Sequence, residues 1–102
     1  MLDEKLMKDV LKLHKEEYYR SKETCEPVNQ MRMLYNYVQN LRMVEHINKN
    51  KDAEYKYYKC TEKIMSHIID YENAQSNNLD LSLYDKMLRQ AIKEIEIEFD
   101  FV

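Results

Sequence analysis

The sequence predicts an all-α fold: one domain, 1–102, built as an antiparallel four-helix bundle with helices over about 3–20, 27–48, 52–75 and 82–96. Three observations predict it. The chain of 102 residues has no glycine and one proline, whereas a sheet-rich domain of this size needs glycine at its turns and bulges. Apolar residues recur at three- and four-residue spacing over most of the length, which is the helical period. The breaks between these stretches are short runs of Asn, Asp, Ser and Lys, with no low-complexity linker and no internal repeat.

The first helix carries Leu2, Leu6, Val10 and Leu13 on one face, with Met7, His14 and Tyr18 on its flank. Glu17 falls near the middle of that apolar arc, where its carboxylate calls for a partner such as His14 or Arg20. Lys5, Lys8, Lys12 and Lys15 alternate with Asp9 and Glu16 on a solvated face. Pro27 suits the first position of the second helix, where its missing N–H costs nothing.

The second helix is the one the others gather round. Met31, Leu34, Val38 and Leu41 form one line, and Met33, Tyr37, Val44 and Ile47 a second beside it. Together they make an apolar arc of roughly 200°, wider than the stripe of a surface helix. Asn48 to Asp52 are all polar and predict a loop, with Asn50 or Asp52 as the next cap. No Gly or Pro enforces that break, so one continuous helix is the alternative.

The third helix has Tyr57, Ile64, Ile68 and Tyr71 as its stripe, flanked by Cys60, Thr61, Met65 and Ile69. In the fourth, Ser82 with Asp85 reads as a cap, followed by Tyr84, Leu88, Ala91, Ile92 and Ile95. From Ile95 the pattern alternates strictly: Ile95, Ile97, Phe99 and Phe101 against Glu96, Glu98 and Asp100. That is the strand period, so the helix is expected to weaken near Glu96 and an extended tail to follow.

Net charge is −3, which gives no global drive toward nucleic acid or anionic membranes. No apolar run approaches a membrane span, and the opening MLDEKLMKDV lacks a signal peptide's apolar core. A cytoplasmic protein is therefore expected, with Cys25 and Cys60, which are not in CxxC spacing, kept reduced. The abundance of Tyr, Met, Asn and Lys suggests an AT-rich genome, such as that of a bacterium or its phage.

Phosphate-cradling loops need glycine and have none here. His14-x-x-Glu17 and His67-x-x-Asp70 reverse the Glu-x-x-His order of di-iron bundles; hydrogen bonding or plain exposure is the expectation, and no metal or cofactor is predicted. Cys60 lies on a core stripe, where cysteine is usually inert. No catalytic residue is assigned, and the chain is expected not to be an enzyme.

The second helix's remaining face carries Asn29, Arg32, Asn36, Gln39, Met43 and His46, with Tyr35, Asn40 and Arg42 at its margins and no acid. Residues 27–51 hold Arg32, Arg42, Lys49 and Lys51 against Glu45 alone, for +3. The expected function is a small non-enzymatic protein–protein interaction module, a regulator or inhibitor, acting as a homodimer. Its partner-binding residues are Arg32, Tyr35, Asn36, Gln39, Arg42, Met43 and His46 on the helix, and Ile97, Phe99 and Phe101 on the tail, which would pair as a strand. The alternative is a DNA-binding regulator, since Arg, Asn and Gln are the side chains that read base edges.

Overall fold

The computed structural model describes residues 4–101. Four helices follow in order: α1 (Glu4–Thr24), α2 (Pro27–Ile47), α3 (Lys51–Ser76) and α4 (Leu81–Glu98), with no strand among the described residues. Leu2 and Asp3, expected at the start of α1, and Val102 at the tail lie outside the described residues. None of the described helices is long and apolar enough to cross a membrane. Consecutive helices joined by short connections pack side by side and run antiparallel.

α2 is the helix that packs against all three others, while α3 and α4 also pack together. Its first half is buried through Val28, Met31, Leu34, Tyr37 and Val38. The expected arc closes less completely at its far end, where Val44 is half-buried and Ile47 is exposed. Phe101, after α4, rests against Tyr37 and Tyr57 instead. Of the expected α3 stripe Ile64, Ile68 and Tyr71 are buried and Tyr57 is half-buried, with Cys60 of the flank buried beside them; of the α4 stripe Leu88, Ala91, Ile92 and Ile95 are buried and Tyr84 is half-buried.

α1 differs from its expected packing. It meets α2 through the flank, with Tyr18 fully buried and Leu11 and His14 half-buried, whereas Leu6 and Leu13 of the expected core stripe are 53% and 51% exposed. His14 Nδ1 accepts from the Asn40 amide of α2, so its partner is Asn40 rather than Glu17. Helical spacing correctly groups Leu6, Val10 and Leu13 but does not say which edge of an apolar arc meets the neighbour.

The C-terminal segment corrects the strand expectation. The helix continues through Glu98, which buries Ile95 and Phe99 one turn apart. Asp100 then takes a left-handed φ of 58°, and Phe101 N–H donates to Glu96 O at 2.8 Å. A left-handed residue costs about 1–2 kcal/mol, less for Asp, while burying a phenylalanine returns roughly 2–3 kcal/mol. The turn therefore wins. An extended tail would leave its backbone N–H and C=O groups without a sheet partner. Only Ile97, 72% exposed, is left out of the core.

The same closing turn ends α2 and α3. Asn50 N–H donates to Glu45 O across Lys49, and Leu79 N–H to Ala74 O across Asn78, each pair at 3.0 Å. Lys49 and Asn78 have φ of 58° and 56°. These are positions where glycine is the usual residue, and the glycine-free chain fills them with Lys, Asn and Asp. Lys49→Gly should therefore raise stability by about 0.5–1 kcal/mol, measured by urea unfolding, with a smaller gain at Asn78. An equal loss would mean the Lys49 side chain holds the turn.

The capping residues are placed nearly as the sequence indicates. The break after α2 is real, and Asn50 caps α3 by accepting from Ala53 N–H. α4 starts one residue earlier than expected: Asp80, not Ser82, is its cap, and it accepts from Ser82 N–H at 3.0 Å and from its hydroxyl at 2.8 Å. These bonds hold the Asp80 carboxyl below the usual carboxylate range.

Candidate functional site: the groove between α2 and α3

Tyr35, Gln39 and Arg42 recur at four- and three-residue spacing and so share one edge of α2. Facing them across a groove of about 480 Å³ are Tyr58, Met65 and Ile69 of α3. No α4 residue lines this groove. The reason it stays open is local: α3 turns Ile64 and Ile68 into the core, which leaves Met65 and Ile69 on the outer side of the stripe.

Arg42 is the central side chain. Its guanidinium lies 5.0 Å from the centre of the Tyr58 ring, a cation–π contact of order 0.5–1 kcal/mol where solvent reaches it. It also borders two adjoining hollows, one reaching Met43 and His46, the other Tyr55. On the wall of α2, Gln39 Nε2 donates to the Tyr35 hydroxyl at 2.7 Å. The Glu62 carboxylate beside the Tyr58 phenol pushes its pKa up from the ordinary tyrosine value. Tyr35, Gln39 and Arg42 are thus held in position before anything binds.

The structure supplies acids that this face of α2 lacks. Arg32 pairs with Glu72 of α3 at 3.1 Å and with Asn29 at 3.0 Å, and His46 Nδ1 lies 2.9 Å from Glu54 Oε1. Charge counted along one helix misses this, because the compensating carboxylates come from the neighbouring helix. Arg32, one of the segment's four basic side chains, is thus paired with an α3 carboxylate, and His46 sits against another.

Of the expected partner-binding residues, Tyr35, Gln39, Arg42, Met43 and His46 come together along the groove. Arg32 lies toward its far end through Glu72, and Asn36 is exposed on the outer side of α2. The tail residues are placed differently. Phe99 and Phe101 are in the core and not available to a partner; Ile97 alone of the three is exposed.

The other reactive groups are dispersed. Cys60 is buried, and burial pushes its thiol up to about 12, while Cys25 is exposed in the first connection; both are free thiols. Among the described residues no three His, Cys, Asp or Glu side chains gather as a metal site would require. No protein-family model, curated protein or solved structure matches this chain.

Tyr58, Met65 and Ile69 complete the site; from sequence, Met65 and Ile69 read only as the flank of the α3 stripe. The signal that could have found them is the surplus of tyrosine and the second apolar line on α3, which one small core cannot absorb. Helical spacing shows the surplus but not which groove receives it.

Proposed function

We propose that this protein is a small non-enzymatic interaction module, a regulator or inhibitor that acts by covering a surface of another protein, and that it does so as a homodimer in the cytoplasm. The observation that carries the reading is the α2/α3 groove. It has Met65 and Ile69 along one wall, Tyr58 and Tyr35 as aromatic contacts, and Arg42 at its centre. Tyr and Arg are the side chains on which interface energy concentrates. The α3 carboxylates beside Arg32 and His46 favour a protein partner over a polyanion, because affinity for nucleic acid comes mainly from uncompensated basic side chains.

The experiment is affinity capture from nuclease-treated native lysate with the unaltered chain, with Arg42→Ala and Tyr58→Ala, and with Arg89→Ala on α4 as a surface control. The reading expects a protein retained by the unaltered chain and by Arg89→Ala. Each groove substitution should weaken that retention by about 10- to 100-fold, the span of an interface hot spot. Equal retention by all four chains, or retention that nuclease abolishes, would sink it.

A further inference from the structure

The inference concerns α1, and it names the surface of the homodimer proposed above and rests on that reading. Leu6 and Leu13 lie on one line of α1 and are each half-exposed, and on α2 Met43, which borders the same hollow as Leu6, is 50% exposed. A stripe of this kind on a helix edge normally meets another helix. Within it, Leu6, Met7, Val10, Asn40, Met43 and Val44 surround a mostly apolar hollow of about 130 Å³. Leu13 stands just beyond this hollow as an exposed knob.

We propose that a second copy of this chain covers the stripe, with the two α1 helices antiparallel about a two-fold axis near Val10. The register follows from the positions. Leu6 and Leu13 lie seven residues apart, about 10 Å along the axis, with their midpoint between Asp9 and Val10. Antiparallel pairing about that point sets Leu13 of the second copy opposite Leu6 and into the hollow beside it. The two-fold repeats the contact in the other direction. Such an interface is self-complementary, as a closed dimer requires.

Charge selects the second copy as the occupant. The solvent edge of the stripe reads Lys5, Asp9, Lys12, Glu16. In an antiparallel pair the same edges of the two helices face each other. Asp9 then meets Lys12 of the second copy, and Lys12 meets Asp9. Both pairs centre between residues 10 and 11, within one residue of the leucine register. A parallel pairing brings opposite edges of the two helices together, so this charged edge would not meet its own copy and the pairs would be lost. The α3 wall of the groove takes no part in this contact.

Sedimentation equilibrium of the full chain over a range of concentrations tests the proposal, with circular dichroism to check the fold. A reversible monomer–dimer equilibrium is expected, and Leu13→Asp should raise its dissociation constant at least about tenfold with helicity unchanged. Asp9→Lys should weaken the dimer, and adding Lys12→Asp to it should restore the dimer, because the pairing is reversed in sign but kept. Both are surface substitutions and leave the core intact. A chain that stays monomeric, or a dimer indifferent to Leu13→Asp and to the charge exchange, would overturn the proposal. Because the readout is oligomeric state, a chain that dimerises as described but loses no captured partner on groove substitution would reject the groove alone.

Discussion

Replacing Phe101 by alanine is expected to lower stability by about 3–4 kcal/mol, the usual cost of emptying a buried phenylalanine site. Phe101 packs its ring 5.7 Å from Tyr37 and 6.5 Å from Tyr57, centre to centre, and 6.3 Å from Phe99. Its carbonyl accepts from the Tyr19 hydroxyl at 2.6 Å, across 82 residues of sequence. Beside it, Lys22 pairs with the nearly buried Glu96 carboxylate, and the same Lys22 ammonium stands 4.9 Å from the Tyr19 ring centre. These contacts tie α1 to α4. For a domain of this size the loss corresponds to a fall in Tm of roughly 12–25 °C. Ile97→Ala, four residues earlier on the exposed side, should change stability by no more than about 0.5 kcal/mol. Urea unfolding of the two variants separates a folded-back end from an extended one: equal effects, or a larger effect at Ile97, would mean that Phe101 is not in the core.

The second large effect is alkaline. Cys60 is fully buried, and burial raises its thiol from about 9 to about 12, with the Glu98 charge adding to the rise. Tyr18 is also fully buried, and its hydroxyl completes no hydrogen bond of good geometry among the described residues. Burial first, and the Glu96 charge second, push its ionisation far above the usual tyrosine range. Both groups are raised, so the sign is fixed. Below about pH 9 the folded and unfolded chains both hold these protons and the stability is fully present. As pH rises further the unfolded chain releases its thiol proton while the folded chain keeps it, and above about pH 10 the same holds for the phenol. Stability should thus be level from pH 7 to about 9, then fall by up to about 1.4 kcal/mol per pH unit for each group. Cys60→Ala should flatten the first part of that fall and leave the part above about pH 10. A native state as stable at pH 11 as at pH 8 would contradict the buried placement of both groups.

Helix number, the break after α2, the Asn50 cap and the hub role of α2 were legible because each rests on local chemistry. An absent glycine, a polar run and a wide apolar arc are all properties of neighbouring residues. The readings that changed depend on distant ones. Ile95, Ile97, Phe99 and Phe101 alternate like a strand, but no strand among the described residues pairs with them, and Tyr37 and Tyr57 offer Phe101 a seat that no local pattern reveals. Leu6 and Leu13 look like core because they are apolar at helical spacing, yet the line that meets α2 runs through Leu11 and Tyr18. The acid-free face of α2 is acid-free only along its own helix, since Glu54 and Glu72 arrive from α3. The α2 wall of the groove, with Tyr35, Gln39 and Arg42, was readable from spacing. Its α3 wall was not, because the pairing of two helices fixes which edges face each other.

The central claim is that this chain works by contact with another protein through the α2/α3 groove. A photo-crosslinking amino acid placed at Tyr58, and in a second chain at Arg89 on α4, tests it most directly in cells. Light is expected to join the Tyr58 position to a second protein and to give no such product from the Arg89 position. Cross-linking from Arg89 but not from Tyr58, or capture of nucleic acid at Tyr58, would contradict it.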